Sequence, residues 1–163
     1  MNLPEPIAEA VKPLYEALPL ERAMSQLVVT QPGFTKLVNI VERILNTRTF
    51  ENRSTLAAGL WLYVDELDRS HKISQKIDDT TGSFWHGIVH RREGDFSNSH
   101  YWFHRVGRHP AMADIPDYEP HGFVDEVAAS QAQAGAQTGK PAPQLVEKQR
   151  EEWAALFAWC ARQ

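Results

Sequence analysis

The chain has 163 residues, a net charge of −4, 42% apolar and 23% charged residues, the balance of a single globular domain. That charge excludes a broadly basic surface for nucleic acid, and the short apolar runs exclude a membrane span. The opening MNLPEPIAEAVKPLYEAL carries prolines and glutamates where a secretory signal needs an unbroken apolar core, so a cytoplasmic location is expected. Cys160 is the only cysteine and falls on an apolar stripe, which reads as a buried, unreactive thiol.

Periodicity predicts helix after helix and no strand. Ile7, Val11, Leu14 and Leu18 recur at helical spacing, with Pro13 as a break or kink. A second helix is expected over Glu21–Val29, ended by Gln31-Pro32-Gly33, and a third over Phe34–Leu45. Leu56, Leu60, Tyr63 and Leu67 form one stripe, which predicts a long helix from Glu51 to His71. Thr80-Thr81-Gly82-Ser83 reads as a loop with Ser83 as N-cap, followed by a short helix to Glu93 that Gly94 stops. Asp95 or Ser97 can cap the next helix, which runs to Val106 and ends at Gly107. A proline-broken loop (114–120), a weaker helix over Phe123–Ala132, a flexible connection near 130–144 and a final helix over Leu145–Ala161 complete the chain. The expectation is an all-α, single-domain bundle of about six to seven helices.

The stretch Ser83–Pro110, SFWHGIVHRREGDFSNSHYWFHRVGRHP, holds five of the seven histidines and six of the sixteen aromatics, a density that points to a site. On a helical wheel His86, His90 and Glu93 share one face within about 60°. Two imidazoles a turn apart and a carboxylate one turn later can hold a divalent ion such as zinc, iron, manganese or nickel. Gly87 stands where the catalytic glutamate of an H-E-x-x-H protease belongs, which argues against that class. Hydrogen bonding within the bundle and direct acid–base contact with a substrate are the competing readings.

His71 falls on the buried stripe of the expected long helix, with Asp68 three residues earlier. The pair could complete a metal site or act as an oriented acid–base couple, and the plainer reading is a core histidine satisfied by Asp68. Glu93, Asp68 and His71 are therefore the catalytic candidates. Asn98, Tyr101 and Arg105 form a separate polar row that could recognise a ligand or tie helices together. Arg91 and Arg92, at a helix end, either complement its negative pole or bind an anion beside His90. Trp85 and Trp102 read as core, or as a stacking wall for a ring. His109 is either a turn residue or a ligand contact. His100 and His104 lie opposite Trp102, Phe103 and Val106 and should face solvent or the rim.

The strings LWLYVDELDRSHKISQ and WHGIVHRREGDFSNSHYWFHRVGRHP, in that order, resemble a bacterial protein family that carries both blocks. The similarity covers Leu60–Pro110, about a third of the chain. The family has no assigned activity, so the resemblance implies no catalytic residues. Arg91, Arg92, Arg105 and Arg108 outnumber Glu93 and Asp95 locally, which favours a small, polar, anionic ligand. The functional expectation is a site for such a molecule, with metal-assisted hydrolysis as the reaction. Two alternatives stand beside it: a non-catalytic binding or sensor module, and a structural seam or homo-oligomer interface rich in aromatics and arginine.

Overall fold

Ile7, Val11 and Leu14 fall on one side of a helix over Glu5–Ala17 (α1), and all three are buried. In the computed structural model, which describes residues 1–30, 35–136 and 142–163, the expected all-α architecture is present, with eight α-helices and no strand among the described residues. Pro13 does not end α1: it sits on the exposed face, and the helix runs on to Ala17. No helix among the described residues is long and apolar enough to cross a membrane.

The helix expected over Glu21–Val29 does not form. Residues 20–24 make a turn in which Met24 has φ +48°, and the segment after it runs non-helically across the bundle. Side-chain donors satisfy its backbone from outside: Gln149 donates to the carbonyls of Met24 and Gln26 at 2.9 and 3.0 Å, and Arg150 donates to that of Ala23 at 3.0 Å. The Val29 amide donates to the Arg92 carbonyl at 2.8 Å. With these partners the segment needs no helical ladder to bury its polar groups. The Gln31-Pro32-Gly33 terminator lies outside the described residues. Helix α2 spans Thr35–Leu45.

The long helix expected over Glu51–His71 is two helices, α3 (Ser54–Tyr63) and α4 (Leu67–Ser74). Between them Asp65 adopts φ +62°, a left-handed conformation that aspartate tolerates better than bulky residues do. Helix α3 is buried on almost every side, and the Trp153 indole donates to the Gly59 carbonyl at 2.8 Å. A Cβ at Gly59 would stand 2.8 Å from the Phe157 ring, so the close approach of these helices requires glycine there.

Helix α5 (Thr80–Glu93) begins earlier than expected. Asp79, not Ser83, is its N-cap, accepting from the Gly82 amide at 2.8 Å. Every residue from Thr81 to Arg92 is buried, so this helix runs through the centre of the bundle. Gly94 (φ +80°) stops it, and Asp95 caps α6 (Phe96–Val106). A 3-10 turn over Pro110–Asp114 leads to α7 (Pro120–Ala136), longer at both ends than the expected Phe123–Ala132. The expected flexible connection is thus helical as far as Ala136, while residues 137–141 lie outside the described residues. Helix α8 (Pro143–Ala161) buries Val146, Trp153, Leu156, Phe157 and Cys160 as its stripe predicts. Burial pushes the Cys160 thiol up to about 12, the unreactive form expected.

Candidate metal centre

A helix buried all round needs a neighbour on every face, and α4 and α6 cover the histidine face of α5. His86 and His90 are 3% and 8% exposed. His71, from α4, brings its ring centroid to 4.4 Å from that of His86 and 4.9 Å from that of His90. One ligand nitrogen from each of the three lies within 4.8 Å of the other two. A tetrahedral site with Zn–N of roughly 2.0–2.1 Å needs nitrogens about 3.4 Å apart, so small side-chain rotations would close this triad on an ion. Trp102 of α6 stacks on the other side of His86, with centroids 4.0 Å apart and planes 23° from parallel.

Glu93, in the last turn of α5, meets two of the rings. Its Oε1 lies 3.3 Å from Nδ1 of His71, and its Oε2 lies 3.2 Å from Nδ1 of His90 in a more bent contact. Asp95, beyond the Gly94 turn, puts Oδ2 3.8 Å from the same His90 nitrogen. Asn98 holds that carboxylate at 2.7 Å. Nδ1 of His86 and Nδ1 of His90 are both buried without a hydrogen bond, whereas the Nε2 atoms of all three histidines are neither fully buried nor hydrogen-bonded among the described residues.

Burial, followed by the neighbouring His71 and His90, lowers the His86 pKa to about 4, against the partial opposition of Glu93. The imidazole is therefore neutral at physiological pH, the state a metal ligand needs. Burial raises the Glu93 carboxyl, but its contacts with His90 and His71 outweigh that and hold it below its usual range. A neutral His86 near a carboxylate held ionised can help take up a divalent cation.

The cluster differs from the expected ligand set. The third converging donor is His71, whereas Glu93 lies against ring nitrogens. Asp68 is exposed on α4 and makes no hydrogen bond or ion pair with His71, whose Nδ1 is turned to Glu93 of α5 instead. Arg91 and Arg92 do not sit at the site. Arg91 pairs with Glu152 of α8, Nη1 to Oε1 at 2.8 Å, and stacks over Phe123, while Tyr118 donates to the same carboxylate. Arg92 pairs with Asp65 and donates to the Leu62 carbonyl at 3.0 Å. Both guanidinium side chains are wholly buried, so the local positive excess is spent inside the fold and not offered to an anion.

Trp85 packs in the core with 0% exposure, so Trp102 is the aromatic wall of the site. His109 is a turn residue: its Nδ1 accepts from the Ala111 amide at 3.2 Å and its Nε2 contacts the Thr81 hydroxyl at 3.2 Å. Asn98, Tyr101 and Arg105 stay on the surface of α6. Asn98 is taken up by Asp95, and Arg105 lies 3.5 Å from the Tyr101 hydroxyl with its Cζ 5.2 Å from the Trp102 ring. His104 is exposed, and His100 bonds His121 and Asp125 at 2.9 and 3.0 Å on the other side of α6.

The contributions of Asp65 and Glu152 were not apparent from spacing. A carboxylate within the apolar stripe of α8 was the available signal for Glu152, since a buried charge requires a partner. No protein-family model, curated protein or solved structure matches this chain.

Proposed function

We propose that the protein binds a divalent transition-metal ion through His71, His86 and His90, and that the bound ion activates water to hydrolyse a small polar substrate. The convergence of three imidazoles from two helices, within 4.8 Å of one another, carries this reading. Three imidazole donors suit zinc, with nickel and ferrous iron as competitors, and they leave a fourth position for water or substrate. An ion held this way lowers the pKa of its water toward 7 and supplies hydroxide at neutral pH. With Arg91 and Arg92 committed elsewhere, the metal itself is the main positive charge available to stabilise an oxyanion.

Elemental analysis of untagged protein, with thermal shifts in zinc, nickel, manganese and ferrous iron, tests the binding. One equivalent of metal is expected, lost on replacing His71 or His86 with alanine. Wild-type protein that neither retains nor is stabilised by any of these ions sinks the proposal. Hydrolysis is then tested on the metal-loaded protein with a panel of activated esters, amides and phosphate esters. Metal binding without turnover leaves a non-catalytic binding module.

A further inference from the structure

A carboxylate in the last turn of a helix faces the negative end of the helix dipole, which disfavours it. Glu93 occupies that position in α5 and turns its carboxylate to two ring nitrogens: Nδ1 of His71 hydrogen-bonds Oε1 at 3.3 Å, and the buried, otherwise unpartnered Nδ1 of His90 lies 3.2 Å from Oε2 just outside hydrogen-bond geometry. An imidazole that ligates through Nε2 must carry its proton on Nδ1, and that proton needs an acceptor. The Nε2 atoms of His71 and His90 make no hydrogen bond among the described residues, so ligation through them breaks no existing contact. Gly94, with φ +80°, reverses the chain so that Asp95 faces His90 as well.

Resting on the metal-site reading above, we propose that Glu93 is the positioning residue of this centre. Its two carboxylate oxygens hold the protons of His71 and His90 on Nδ1, turn both Nε2 atoms toward one ion, and leave the fourth coordination position unoccupied by protein. Asp95 backs the His90 side, and Asn98 holds Asp95 in place at 2.7 Å. The Glu93-Gly94-Asp95 turn and Asn98 thereby belong to the metal centre as its outer carboxylate layer.

Two measurements on the full chain decide this. Imidazole nitrogen-15 spectra of the metal-free protein report the tautomers directly. Nδ1–H forms of His71 and His90 are expected in the wild type, with a shift toward Nε2–H in Glu93→Ala. Zinc alone, titrated against a chromophoric chelator, reports affinity. Glu93→Ala should weaken zinc by about 10–100-fold, as loss of an outer-layer partner does, with Glu93→Gln in between because its amide oxygen still accepts one bond. Unchanged tautomers in Glu93→Ala overturn the proposal, as does wild-type zinc affinity in that variant. Complete loss of zinc without a tautomer change would make Glu93 a ligand instead, which also overturns it. If the wild type shows the Nδ1–H tautomers but binds no zinc, the metal reading fails while the tautomer-setting role of Glu93 stands. Circular dichroism of each variant keeps loss of fold separate from these outcomes.

Discussion

Asp65 meets Arg92 at the point where α3 gives way to α4, with both side chains almost wholly buried. The contact explains the chain reversal and the placement of His71 together. Asp65 takes a left-handed conformation, its carboxylate anchors on α5, and α4 then runs back across the histidine face. Arg91, Arg92 and Glu93 are consecutive in sequence yet hold α8, the α3–α4 break and α4 respectively.

Removing one member of such a buried pair leaves an unpaired charge. Asp65→Ala is expected to destabilise the protein by about 3–5 kcal/mol and to weaken zinc binding, because α4 loses its anchor. Urea unfolding and chelator competition measure the two effects. A variant of wild-type stability would show that the Arg92 guanidinium finds another acceptor.

Glu152 accepts from both Arg91 and Tyr118 inside the bundle. Glu152→Ala should likewise cost about 3–5 kcal/mol, and should leave the tautomers of His71 and His90 unchanged. That contrast separates a strut of the fold from a residue of the centre, and nitrogen-15 spectra under folding conditions read it.

The pH dependence of the metal-free protein should carry the signature of His86. The native imidazole is held near 4 against an ordinary 6.5, so over that interval the unfolded chain binds more protons. The stabilising contribution is complete above 6.5 and is lost as the pH falls toward 4. Unfolding midpoints should therefore drop across this window, and less steeply in His86→Gln, which does not titrate. Equal slopes for the two proteins would contradict the assignment.

Gly87 lies between the two α5 histidines in sequence and faces α6, where a Cβ would stand 3.1 Å from the Phe103 ring. Gly87→Ala forces that ring aside and should cost about 1–3 kcal/mol by overpacking, offset in part by the better helix propensity of alanine. Thermal unfolding checks it. A stabilised variant would mean that Phe103 moves freely, contrary to its burial.

Much of the fold was legible because helical periodicity is a local property. Leu37, Val41 and Ile44 declare α2, Gly94 declares the end of α5, and the stripe through Trp153 and Phe157 declares α8. The Glu21–Val29 segment misled for an equally physical reason. Its composition allows a helix, but donors from Arg92, Gln149 and Arg150, distant in sequence, satisfy its carbonyls in another conformation.

At the candidate site, residue spacing alone puts His86, His90 and Glu93 on one helical face, since a fixed turn angle settles that for any straight helix. It also marked His71 as a residue to watch. Tertiary structure decided the division of labour. His71 joins the other two imidazoles, Glu93 stands at Nδ1 of His71 and His90, and Arg91 and Arg92 turn into the bundle. These outcomes depend on which helix covers which face and on where each buried charge finds its partner. The partners Asp65 and Glu152 lie 27 and 61 residues from their arginines, beyond the reach of any local pattern.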